Sequence, residues 1–84
     1  MSARKQIIIK NSLEASKFSR QMQEFKTKDT FVLENKSGED SVNPASYLGV
    51  LYMATYWTNE TFLTNLTSDT FPDFIDKFDG LADN

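Results

Sequence analysis

The apolar residues change period near the start of the chain, and that change limits the possible folds more than any other feature. Ile7-Ile8-Ile9 stands between Gln6 and Lys10, and a run of β-branched residues favours a strand. In a strand over 6–10, Ile7 and Ile9 point to one face and Ile8 to the other. Shortly afterwards Ala15, Phe18, Met22 and Phe25 recur at spacings of three and four, with Lys17, Arg20, Gln21 and Glu24 off that stripe. This predicts a helix over 14–26 laid on a sheet, with Asn11 or Ser12 as its cap.

The rest of the chain alternates in the same way. Thr30 to Glu34 reads as a short strand, and Asn35-Lys-Ser-Gly-Glu as a hairpin loop in which Gly38 takes positive φ. Asp40 to Asn43 returns as a brief strand that Pro44 ends. The segment 46–54 is mostly apolar, and periodicity alone does not separate a helix from a strand there. Ser46 after Pro44-Ala45 favours a helix start. Gly49 weakens such a helix unless something packs closely against it. Thr58-Asn59 marks a turn and Glu60 to Leu66 a strand. A last helix follows, capped by Asp69 or Thr70 with Pro72 in its first turn and a stripe of Phe71, Phe74, Ile75, Phe78 and Leu81. The expected order is strand, helix, strand, strand, helix, strand, helix: one α/β (α+β) domain over 1–84, a small four-stranded sheet with three helices on one face.

Composition removes several kinds of chemistry. The chain of 84 residues has no cysteine and no histidine. Disulfides, thiolate metal sites and imidazole bases are therefore unavailable. Net charge is −3 and the cations are dispersed, which argues against nucleic acid as a partner. From Glu60 to Asn84 there are six acids and one base, Lys77. No apolar run reaches the roughly 18 residues of a membrane span, so a cytoplasmic location without membrane contact is expected. Asp29, Glu34, Glu39 and Asp40 have no metal-ligand spacing; neither a metal nor another cofactor is expected. Tyr52, Tyr56 and Trp57 are read as half-buried core and rim, with partner anchors as the alternative.

The segment Val42-Asn-Pro-Ala-Ser-Tyr-Leu-Gly-Val-Leu-Tyr-Met-Ala54 resembles the regulatory serine segment of the HPr (histidine-containing phosphocarrier) family, Val-Asn-Ala-Lys-Ser-Ile-Met-Gly-Leu-Met-Ser-Leu. Val42, Asn43, Ser46 and Gly49 agree, with apolar residues at 48, 50 and 51. The family's other motif, Asn-Gly-Leu-His-Ala-Arg-Pro-Ala, corresponds to Asn11-Ser-Leu-Glu-Ala-Ser-Lys-Phe18. Asn11, Leu13 and Ala15 agree. Glu14 stands where the phosphoryl-carrying histidine belongs, and Ser16 where an arginine would neutralise the phosphate.

The resemblance implies an HPr-like open-faced β-sandwich. It also implies a protein of the sugar phosphotransferase system that regulates or interacts without catalysis, since no histidine can carry phosphate. It is not expected to be an enzyme. Ser46 would be the regulatory phosphorylation site, a cap that becomes a dianion at a helix N-terminus. Tyr47, Leu48 and Leu51 would form the partner-binding patch. The partners implied are HPr kinase and a catabolite-control repressor. Pro44-Ala45 in place of Ala-Lys departs from the usual kinase context. Glu14 has two further readings: a carboxylate favoured by the helix dipole, or a mimic of a phosphorylated state. Two other functions stay open, a phosphoryl carrier using Glu14 or Ser46 as acceptor, and a small α/β domain with only structural likeness to HPr. Short strands leave exposed edges, so a monomer or an edge-paired dimer is expected.

Overall fold

The computed structural model describes residues 3–57 and 60–78. In chain order its elements are β1 (Ala3–Ile7), α1 (Ser12–Glu24), β2 (Phe31–Asn35), β3 (Ser41–Val42), α2 (Tyr47–Tyr56), β4 (Thr61–Asn65) and a 3-10 helix, Asp73–Phe78. The expected turn at Thr58-Asn59 and the last stripe residue, Leu81, lie outside the described residues. No helix among the described residues is long and apolar enough to cross a membrane.

The four strands form one sheet in the order β1-β4-β2-β3, and every neighbouring pair is antiparallel. β1 and β2 are therefore parallel, joined through α1 and separated by β4. β3 and β4 are likewise parallel, joined through α2 and separated by β2. Two split βαβ units interlock.

Register divides the sheet into two faces. Leu63 stands between Lys5 and Leu33, and Thr61 between Ile7 and Asn35. Ile7, Leu33 and Leu63 thus share a face, and all three are fully buried. They join Ala15, Phe18 and Met22 of α1, Val50 and Met53 of α2, and Ile75 and Phe78 of the 3-10 helix in one core cluster. Among the described residues the helices cover that face only. The opposite face is open and carries Arg4, Val32, Glu34, Phe62 and Thr64. There the Arg4 guanidinium lies 4.0 Å from the centre of the Phe62 ring. It sits 3.7 Å from the Glu34 carboxylate and donates to the carbonyls of Asn35 (2.9 Å) and Lys36 (3.3 Å). Thr64 also donates to Glu34. This polar strap reaches from β1 over β4 to β2 and shields Phe62 where no helix does.

Some boundaries differ from the sequence expectation. The first strand lies at Ala3–Ile7, not 6–10, because its partner ends: Ile7 pairs with Thr61, the first residue of β4. Ile8 instead donates its amide to the Phe78 carbonyl at 2.7 Å. The burial of Ile7 and Ile9, with Ile8 half-buried, follows the expected alternation. The last described helix is a 3-10 helix, and Pro72 precedes it, accepting from the Ile75 amide at 3.1 Å. Thr70 does not cap it; its carbonyl accepts from the Asn65 side chain at 2.7 Å. Gly38 does take positive φ, +79°.

Candidate functional site

Each helix N-terminus holds one of the singled-out residues, and each N-terminus is built locally. α1 is capped by Asn11, whose Oδ1 accepts from the Glu14 amide at 2.9 Å. The Glu14 carboxylate reaches back and accepts from the Lys10 amide at 2.8 Å. This reciprocal exchange is a capping box shifted by one residue. Glu14 is therefore engaged in holding the entry of α1. Replacing Glu14 by alanine is expected to cost about 1 kcal/mol in urea unfolding. A Glu14→Gln variant, which keeps an acceptor, should lose less. Ser16 is half-buried on the next turn, and its carbonyl accepts from Ser19 Oγ at 3.1 Å.

α2 starts where Ser46 predicts. Asn43 Oδ1 accepts from the Ala45 amide at 2.9 Å, turning the chain after β3. Ser46 Oγ then accepts from the Gly49 amide at 3.2 Å as the N-cap. Gly49 is required by a close approach: a Cβ there would stand 3.2 Å from Val42 Cβ and 3.4 Å from the Asn43 carbonyl. The helix so begun runs two residues beyond Ala54, to Tyr56.

The two helix entries do not form one site. Gln23, near the end of α1, donates to the Ala45 carbonyl at 2.7 Å, so the start of α2 lies beside the end of α1. Glu14 is nine residues back along α1, about 14 Å at the helical rise. Near that other end, an open cleft of about 290 Å³ lies between Ile7–Lys10 on one side and Met53 and Ala54 of α2 with Trp57 on the other. Among the described residues no group of acidic side chains is arranged to hold a metal ion.

The face of α2 turned away from the core is apolar. Val50 and Met53 are buried, while Leu48 is 74% exposed, Tyr52 51% and Tyr56 69%. A spacing of four keeps Leu48, Tyr52 and Tyr56 on one side. Tyr47 is exposed beside them, whereas Leu51 is half-buried against the core. Trp57 packs on the core as expected. Tyr52 and Tyr56 do not; their rings meet at 4.8 Å, tilted by 45°, with Trp57 edge-on to Tyr52. The expected patch of Tyr47, Leu48 and Leu51 thus turns along the helix toward Tyr52 and Tyr56. The signal was present as the spacing of 48, 52 and 56, opposite the inward residues 50 and 53. No charged residue occurs from Ser41 to Asn59, so this helix presents an uncharged surface on an acidic protein.

Comparison with protein-family models, with curated proteins and with solved structures finds no match to this chain.

Proposed function

We propose that the chain is a non-catalytic, HPr-like interaction protein of the cytoplasm, which binds a protein partner through α2 and is controlled at Ser46. One observation carries this reading: the exposed apolar row Leu48-Tyr52-Tyr56, which starts two residues after the Ser46 cap. Large apolar side chains aligned on one exposed helix face mark protein contact surfaces. The absence of charge from 41 to 59 selects a partner with an uncharged, apolar groove, since a charged one would be desolvated here without compensation. The resemblance of 42–54 to the HPr regulatory segment supplies the partner classes, HPr kinase and a catabolite-control repressor.

The chemistry of Ser46 fits control. Its oxygen already receives the Gly49 amide, and a phosphoryl group placed there would meet the amides of the first turn and the positive end of the helix dipole. Such a dianion would border the Leu48 side of the apolar row and change what can dock on it. Glu14 and Ser16 give no corresponding support for phosphoryl carriage, because the carboxylate is held by the Lys10 amide and no arginine stands at 16.

The test uses purified components. HPr kinase with ATP is expected to label the protein at Ser46 and to leave Ser46→Ala unlabelled. The labelled form is expected to bind the repressor. Leu48→Asp should reduce that binding at least tenfold while changing stability by less than about 0.5 kcal/mol, since the side chain touches little of the core. Failure of both proteins to recognise the chain overturns the reading. Label transferred from phosphoenolpyruvate through the first phosphotransferase enzyme to Glu14, labile to hydroxylamine, would make it a carrier instead.

A further inference from the structure

The opposite flank of α1 carries a different surface. Lys17, Arg20 and Gln21 of α1 and Lys77 of the 3-10 helix line a depression of about 360 Å³. All three cations are exposed, and among the described residues none of them takes part in an ion pair. Two of the nearby carboxylates are committed elsewhere. Glu14, one turn before Lys17, is held by the Lys10 amide. Asp76, next to Lys77, pairs with Lys5 at 3.1 Å. Glu24 and Asp73 are exposed and make no ion pair with the three.

The two walls are also fixed relative to each other. Phe18 of α1 meets Phe78 edge-on at 5.2 Å and Phe74 at 6.3 Å. The Phe78 carbonyl is tied to the Ile8 amide. Lys77 is therefore held opposite Lys17 and Arg20 by packing beneath it. Three like charges facing one hollow repel one another, and a bound anion would relieve that repulsion.

We propose that this depression binds a small phosphate-bearing anion. A guanidinium fork matches two oxygens of a phosphate, and ammonium groups supply further donors around it. The Gln21 amide adds a neutral donor on the same wall. The volume fits a small ligand. A polyanionic chain would need a basic track continuing beyond the hollow, and the protein around it has net charge −3. An apolar peptide would leave the cations uncompensated. The site lies on the α1 flank away from α2, so it stands apart from the proposed α2 surface.

Pyrophosphate is the probe. The full chain is titrated with it at constant ionic strength, against sodium chloride, while backbone amide resonances are followed by NMR. Saturable shifts confined to residues 17–21 and the neighbourhood of Lys77 are expected, with a Kd at or below about 1 mM. Arg20→Gln combined with Lys77→Gln should weaken binding at least tenfold. Lys17→Gln alone should weaken it severalfold. Unchanged spectra elsewhere in these variants establish that the fold is intact. Non-saturating or dispersed shifts, equal shifts with chloride, unchanged binding by the double variant, or tighter binding of an acidic peptide than of pyrophosphate would each overturn the proposal.

Discussion

Replacing Phe18 by alanine is expected to remove about 3 to 5 kcal/mol of unfolding free energy, the cost of deleting a fully buried aromatic ring. A protein of this size has only about 5 to 10 kcal/mol in total, so the variant should sit near its unfolding midpoint on mild heating or in low urea. Phe18 has no exposed surface and connects elements that no strand ladder connects. Its ring faces Phe74 and Phe78 on one side. Phe74 meets Phe25, Phe25 meets Phe31, and Phe31 meets Phe71. Six of the seven phenylalanines thus form one contiguous row under the helices, and only Phe62 lies on the other side of the sheet, beneath Arg4. Phe18→Leu, which keeps most of the volume, should cost about half as much or less. A loss below about 1 kcal/mol in Phe18→Ala would mean that the 3-10 helix is not packed as described.

The second large effect is expected at Asn65, a polar residue with no exposed surface at the end of the central strand β4. Its Oδ1 accepts from the amides of Thr67 (2.9 Å) and Ser68 (3.0 Å) and from the Thr67 hydroxyl at 3.0 Å. Its Nδ2 donates to the Thr70 carbonyl at 2.7 Å, to Ser68 Oγ at 3.0 Å and to Asp29 at 3.2 Å. Asn65→Leu keeps similar bulk but strands these groups. The expected loss is about 1 to 3 kcal/mol, because six hydrogen bonds in a part-buried turn are lost and their partners must find water instead. Preservation of wild-type stability would show that water replaces the amide fully.

The same turn makes stability depend on acid. Hydrogen bonds from Asn65, then Thr67 and Ser68, hold the Asp29 carboxyl below its ordinary value of 3.8. A carboxyl with a lower pKa in the folded chain binds its proton more weakly there than when unfolded. Its contribution is therefore fully present above about pH 4 and is lost as pH falls through the folded-state value. Urea unfolding between pH 5 and 2 should show stability falling over this range. Asp29→Asn should flatten that part of the profile; an unchanged slope would remove Asp29 from the acid response.

How much of this was visible in the sequence depended on whether the signal was local. The α1 stripe of Ala15, Phe18 and Met22 names buried residues directly, because a helix on a sheet repeats its burial every turn. Gly38 and Ser46 were equally legible, since a positive φ and a helix cap each depend on one residue's chemistry. The start of β1 was not. Ala3, Arg4, Lys5 and Gln6 are strand only because β4 lies beside them, and pairing with a distant segment leaves no mark on their composition. Asn65 was invisible for a related reason. Nothing in Thr-Asn-Leu-Thr-Ser distinguishes a buried asparagine from a solvated one until Asp29 and Thr70 are brought to it. The outward row on α2 lay between these cases: its spacing was readable, but three aromatic residues in an apolar helix look like core until the inward face is assigned to Val50 and Met53. The depression lined by Lys17, Arg20 and Lys77 required the tertiary meeting of α1 with the last helix.

The interlocked strand order also governs when the molecule can exist. Among the described residues β4 is the only neighbour β1 has, and it separates β1 from β2 along the sheet. Ala3 finds its partner only when Asn65 has been made. No amino-terminal half can fold ahead of the rest, and a chain cut before Thr61 retains only the two-residue ladder of β2 with β3. Folding then rests on contacts between distant residues, which slows it relative to helical proteins of similar size. On the ribosome the sheet must wait for its last strand, and the first strand remains unpaired throughout synthesis of the segments between them.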